Sequence, residues 1–281
     1  MTLDGKVALV TGASRGVGAA TAVALAAAGC RVACAARSTT AAPHSTPGTL
    51  DETIERIRAM GAEAISVPTN LAAEAEVVAM VARTAEHFGG LDVLVNNAAI
   101  TFVGDLDIAL KRHDLVMRVN LHAPFVAIRE AAPHMRRRGG GAIVNVSSMA
   151  ALSAIAGFMS YGVSKIALER LTIDVAHQLQ ADEIACNVFR IDVPVASEGF
   201  VANTPGMDRS AWEPCEVAAE GIVWMLRQPA DYTGRLESMY ELRRREGIMV
   251  SRSQRPFTGV PVTRLQEGVA KRIGARAGEP S

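Results

Sequence analysis

Three side chains in the middle of the chain can cooperate in moving a proton. Tyr161 and Lys165 are four residues apart at the start of an apolar-periodic stretch, so on a helix they share a face. A phenol near its reference pKa of about 10 is a poor base at neutral pH, and an ammonium beside it favours the phenolate. The pair therefore offers a proton donor and acceptor. Thirteen residues before Tyr161, Ser148 follows an apolar run and can hold a carbonyl oxygen with its hydroxyl. Each also has a plainer reading: Y-x-x-x-K recurs by chance, Ser147-Ser148 can be a turn, and Lys165 can be solvated. Their conjunction is what gives them weight.

A second constellation lies near the start. Thr11-Gly12-Ala13-Ser14-Arg15-Gly16-Val17-Gly18 follows the apolar run Val7 to Val10 and opens an alanine-rich helical stretch, Ala19 to Ala28, closed by Gly29. Between a strand and a helix, such glycines let the backbone turn tightly against a pyrophosphate. Free N–H groups and the positive helix end then offset its charge. Glycine turns also serve plain helix-on-strand packing. No G-K-[ST] ends the motif, so it is not a P-loop. At the end of the second apolar run, where an acid would take the ribose 2′-OH of NAD, the chain reads Ala35-Ala36-Arg37-Ser38. Arg37 together with Arg15 suits a 2′-phosphate, which points to NADP over NAD; the alternative is two ordinary surface arginines.

These residues need a scaffold, and the pattern supplies one. Val7 to Val10, Arg31 to Ala35, Ala64 to Val67, Leu91 to Val95, Ala142 to Val146 and Ala185 to Ile191 read as buried strands. Helical spacing recurs between them in Leu50, Ile54 and Ile57, in Val77, Val81 and Phe88, and in Leu168, Leu171, Val175 and Leu179. The β-α-β-α alternation predicts an α/β fold with a doubly wound, mostly parallel sheet and helices on both faces, the Rossmann type. Ligands there bind beyond the carboxyl ends of the strands, which is where both constellations fall. Ser38 to Thr49, with two prolines, is long for a connection and reads as a surface loop beside the cofactor site.

Composition narrows the partners. The 281 residues carry 29 Lys and Arg against 29 Asp and Glu, so no overall field draws the chain to nucleic acid or an anionic membrane. Residues 139–164 hold no charge, a length that can span a bilayer, but Asn145, Ser147, Ser148, Ser153, Ser160 and Tyr161 argue for a strand, a polar turn and a helix start instead. The N-terminus lacks a secretory pattern, and Cys30, Cys34, Cys186 and Cys215 have neither C-x-x-C spacing nor companion histidines. A cytoplasmic protein without a metal site is expected, with Cys30 and Cys34 packing as small hydrophobes. His113, His122, His134 and His177 read as structural or solvated. From Leu242 onward nine Arg or Lys face three Glu, so residues 246–281 read as a basic extension, either a partner arm or a solvated or subunit-packing tail.

With these motifs in hand, the chain resembles the short-chain dehydrogenase/reductase family over residues 3 to 245. The matches are T-G-A-S-R-G-V-G at Thr11, N-N-A-A at Asn96, R-V-N ending at Asn120, I-V-N-V-S-S ending at Ser148 and Y-G-V-S-K at Tyr161. The resemblance implies one oxidoreductase domain over 1–245 with a small substrate lid at about 196–215. It implies Tyr161 as general acid/base, Lys165 binding the nicotinamide ribose and lowering the Tyr pKa, Ser148 positioning the carbonyl, and Asn120 anchoring a relay water. For the cofactor it implies Gly12, Ser14, Arg15, Gly16, Val17, Gly18 and Arg37 at the phosphates and ribose. Asn70 and Leu71 would bracket the adenine, with Asn97 and Ala98 on the adenosine side, Val119 nearby, and Val195 and Ser197 at the carboxamide. It also implies a homodimer or homotetramer built from helix faces.

Departures are visible. Ala99 replaces the usual glycine of N-N-A-G, and Ile191-Asp192 stands where Pro-Gly is usual. Asp192 can be a second acid/base, a partner of Arg190 or solvent-facing; the last two are favoured. The loop after Ser38 and the run at Lys111 are similar to a hydroxysteroid-dehydrogenase-like branch, a name that does not establish a steroid substrate. Met149 to Met159, with Leu152 and Phe158, and a lid within Phe200 to Trp212 containing Met207 are mainly apolar and suit a hydrophobic alcohol or ketone. The expected activity is interconversion of a secondary alcohol and a ketone or aldehyde with NADP(H). The rival is a catalytically silent NADP-binding protein, for which Ile191-Asp192 and the basic tail are the best hints.

Overall fold

The structure is a computed structural model that describes residues 1–255, 257–259, 261 and 264. The valine- and alanine-rich runs in the middle of the sheet are buried on both faces, which suits central parallel strands, while the edge runs Ala64–Pro68 and Leu236–Ser238 are partly exposed. They form β1 (Val7–Thr11), β2 (Arg31–Ala36), β3 (Ala64–Pro68), β4 (Val93–Asn96), β5 (Gly141–Ser148), β6 (Ile184–Ile191) and β7 (Leu236–Ser238). The sheet runs β3-β2-β1-β4-β5-β6-β7, and every pairing is parallel. The order reverses between β1 and β4, the switch point at which such sheets open a crevice.

Helices cover both faces. On one side lie α1 (Gly16–Ala27), α2 (Leu50–Ala59) and α8 (Cys215–Leu226), whose Leu25, Ile54, Ile57, Ile222 and Leu226 share a core with Ala8 and Val10 of β1 and Val144 of β5. On the other side lie α3 (Glu74–Phe88), α5 (Ala123–Arg137) and α6 (Met159–Leu179), whose Val77, Met80, Phe88, Val126, Met135 and Val175 pack with Val7, Leu9, Leu94 and Ile143. Alternate residues of β1 thus enter opposite cores, as the two-residue period of a strand requires.

Between β4 and α5 the chain forms α4 (Leu110–Met117), which runs into α5 through a π-turn at Arg118–His122. After β6 come the short α7 (Glu198–Asn203) and, beyond β7, α9 (Met239–Glu246). The uncharged stretch resolves into β5, a 3-10 turn at Met149–Ala151 and the start of α6, as its polar content predicts. Among the described residues no helix is long and apolar enough to cross a membrane.

Differences from the sequence expectation are local. β1 and β5 extend past Val10 and Val146 to Thr11 and Ser148, because polar residues at a strand end can keep the ladder going. β7 is absent from the expected strands because three residues are too few to show a period. Most of the basic extension 246–281 lies outside the described residues. Its first part folds back, with Met249 only 1% exposed in the core and Arg252 and Arg255 paired with Glu220 and Asp208.

Candidate active site

The carboxyl ends of β1 and β4 are joined by side chains. Thr11 Oγ1 accepts the N–H groups of Asn97 and Ala98 at 3.1 and 3.2 Å, and Asn97 Nδ2 donates to Thr11 O at 2.9 Å. Asn97 is thereby spent on framing the crevice. Gly12 and Gly16 have φ of +70° and +59°, and a Cβ on Gly18 would lie 2.2 Å from Gly12 O. The turn therefore excludes side chains. The α1 N-terminus has no side-chain cap and no acid in its first turn, so no capping side chain takes its first main-chain donors, a fit for a dinucleotide diphosphate. Val17 and Gly18 are buried, and so is Ser14.

The two arginines differ. Arg15 Nε donates to Pro47 O at 2.6 Å, and its Nη2 donates to Thr46 O and Gly48 O at 2.9 and 2.8 Å. Arg15 clasps the 38–49 loop, which is indeed a surface loop. Burial lowers its pKa, Glu198 raises it and nearby Arg37 lowers it further. Arg37 is exposed. The Arg37 charge acts on Arg15, while three carbonyls occupy the guanidinium of Arg15. Asn70 is exposed beyond β3, its Oδ1 accepting Ala72 N–H, and Leu71 is half-buried beside it.

At the other end of the crevice, Tyr161, Ser148 and Lys165 come together. The Ser148 hydroxyl lies near enough to the Tyr161 phenol to act on its pKa, and Lys165 Nζ lies 5.6 Å from the centre of the Tyr161 ring. Lys165 is 1% exposed and donates to Val146 O at 2.8 Å. Burial pulls its pKa down to about 8, against the raising influence of Glu169. Burial also pushes the phenol up, and Ser148 pulls it down. The expected lowering of the phenol by Lys165 is not what this arrangement shows: the amine points at a carbonyl and is itself desolvated.

Asn120 is fully buried in the π-turn beside buried Val119. Its Oδ1 accepts Ile100 N–H at 2.9 Å, and its Nδ2 donates to Ile100 O at 2.9 Å and Ser164 Oγ at 3.0 Å. Ser164 in turn donates to Tyr161 O at 2.7 Å. A continuous set of bonds thus links Asn120 to the helix turn bearing Tyr161. His113, expected to be structural or solvated, has its Nδ1 3.0 Å from Ser160 Oγ, next to Tyr161. Phe158 meets the Tyr161 ring edge-on at 6.3 Å, and Phe200 stacks on Trp212 at 4.7 Å. Met149 and Met207 are exposed, whereas Leu152 is buried.

The reading of Asp192 needs correction. Asp192 is 1% exposed, not solvent-facing, and it is not the ion-pair partner of Arg190. It accepts Ser238 Oγ and, at 3.0 Å, Tyr240 N–H, so it holds the start of α9. Burial raises its pKa, and those bonds and the Arg190 charge oppose the rise. Arg190 pairs instead with Glu169, a residue that sequence reasoning misses because only the fold brings the two together. Val195 is buried, and its carbonyl accepts Ser197 N–H at 2.8 Å; the Ser197 hydroxyl caps α7. Among the described residues no group of His, Cys, Asp and Glu can hold a metal ion. Burial raises the Cys30 and Cys34 thiols to about 12, which leaves them protonated small hydrophobes.

The family model described as short chain dehydrogenase matches residues 6–194. The chain belongs to that family. It is 36% identical over 244 residues to the 2-(R)-hydroxypropyl-CoM dehydrogenase of Xanthobacter autotrophicus, covering 81% of this chain and 93% of that one. It is 29% identical over 251 residues to hydroxysteroid dehydrogenase-like protein 2 of Homo sapiens, which covers 88% of this chain; the chain spans 59% of that protein's length. A solved short chain dehydrogenase from Burkholderia cenocepacia in complex with NADP superposes with a TM-score of 0.75 at 32% identity, over 85% of this chain and 97% of that one.

Proposed function

We propose that the chain is an NADP(H)-dependent oxidoreductase that interconverts a secondary alcohol and a ketone or aldehyde on a hydrophobic small molecule. The observation that carries this reading is the convergence of the Tyr161 phenol, the Ser148 hydroxyl and the Lys165 amine beyond β5, in the crevice that the glycine-rich turn borders. A bound nicotinamide dinucleotide supplies the hydride. In reduction, Tyr161 gives its proton to the carbonyl oxygen while Ser148 holds that oxygen; in oxidation, Tyr161 takes the proton from the hydroxyl. Lys165 holds the nicotinamide ribose and Asn120 anchors the relay water. The phosphates fall to Gly12, Ser14, Gly16, Val17 and Gly18, and Arg15 serves the cofactor by holding the 38–49 loop in place beside them. Arg37 meets the 2′-phosphate, and Asn70, Leu71, Asn97, Ala98, Val119, Val195 and Ser197 line the remainder.

The preference for NADP over NAD is supported by the exposed Arg37 and by the NADP held in the Burkholderia relative. Residues 1–245 form the oxidoreductase domain, with 196–215 as its lid. Exposed Phe125, Val163 and Ile173 on α5 and α6 support a homodimer or homotetramer, and four free thiols support a cytoplasmic location. The capping role of Asp192 removes one of the two hints of a silent protein. Fluorescence titration with NADPH and NADH, followed by NADPH oxidation with a panel of ketones, tests the reading. Preferred NADPH binding with turnover is expected, and binding without turnover of any ketone would overturn the enzyme assignment.

A further inference from the structure

One carboxylate beside the glycine-rich turn has no role in the scheme above. Glu198 opens α7 in the lid, and its side chain turns back toward the start of α1. Its Oε2 lies 3.3 Å, and Ser197 Cβ 3.2 Å, from where a Cβ on Gly16 would sit. That oxygen is out of contact with solvent and accepts no hydrogen bond. The positive end of α1, which has no cap and no acid of its own, offsets its charge, and Glu198 in turn raises the pKa of Arg15.

We infer that Glu198 is an internal anion occupying the diphosphate seat, and that cofactor binding must expel it. The inference rests on the dinucleotide reading of the turn. Two anions cannot share one helix end at contact distance. A diphosphate that takes the N–H donors therefore drives the carboxylate into water and lifts the first turn of the lid. Glu198 thus sets dinucleotide affinity and couples cofactor arrival to lid movement.

Glu198→Gln keeps the size and removes the charge. Dissociation constants are read from quenching of tryptophan fluorescence, to which Trp212 in the lid contributes. The variant should bind NADPH and ADP-ribose about five- to tenfold more tightly, the scale of one charge at a helix end. Glu198→Ala should move in the same direction. Affinity for 2′-AMP, which has no diphosphate, should not change. Asp208→Asn, which removes an exposed lid carboxylate, should leave NADPH affinity unchanged. Unchanged or weaker NADPH binding by both Glu198 variants overturns the inference. If the wild type binds neither NADPH, NADH nor ADP-ribose, the dinucleotide reading itself fails.

Discussion

Arg190 and Glu169 form a two-pronged pair, Nε to Oε1 at 2.8 Å and Nη2 to Oε2 at 2.7 Å, with side chains 6% and 2% exposed. Ser147 Oγ donates to the same Oε1 at 2.7 Å, so the carboxylate ties α6 to β5 and β6 one helical turn beyond Lys165. Removing one partner strands a buried charge. Glu169→Gln should cost about 3–5 kcal/mol in urea unfolding, and adding Arg190→Met should recover most of it. A loss below about 1 kcal/mol for the single variant would contradict the description of the pair.

The two arginines of the cofactor end should separate on substitution. Arg37→Asp should weaken NADPH by about 10- to 100-fold, the range of one charged hydrogen-bonding contact, and leave NADH unchanged or tighter. Arg15→Ala should weaken both nucleotides alike, because it releases the carbonyls of Thr46, Pro47 and Gly48 and loosens the loop. Titration of each variant with both nucleotides distinguishes these outcomes. A loss confined to NADPH in Arg15→Ala would instead make Arg15 a direct phosphate ligand.

Lys165 imposes a pH dependence on stability. Its folded pKa of about 8 lies below the unfolded value of 10.5, so between those values the unfolded chain binds more protons and this site's contribution to stability rises with pH. Relative to Lys165→Met, the wild type should therefore gain stability as the pH is raised from about 8 toward 10. Urea midpoints of both proteins across that window check the sign. A wild type that loses ground to the variant would contradict a desolvated amine.

What is legible in the sequence depends on local pattern. The strand-turn-helix at Thr11 to Gly18 and the four-residue spacing of Tyr161 and Lys165 are each set within a few residues, and both stand where the pattern puts them. What stays hidden depends on the path of the chain. Arg15 reads as free because its acceptors lie 31 to 33 residues away on a loop without a period. Asp192 reads as odd because the groups it holds, at Ser238 and Tyr240, belong to or follow a strand too short to read. Glu169 and Arg190 meet only because α6 packs on β6.

The most direct measurement is turnover of Tyr161→Phe against the wild type, with NADPH and a ketone the wild type reduces. The account predicts a fall of about 10²- to 10⁴-fold in rate, the usual worth of a positioned proton donor, with NADPH affinity within about twofold of the wild type. An unchanged rate would contradict the assignment of Tyr161 as the proton donor and acceptor.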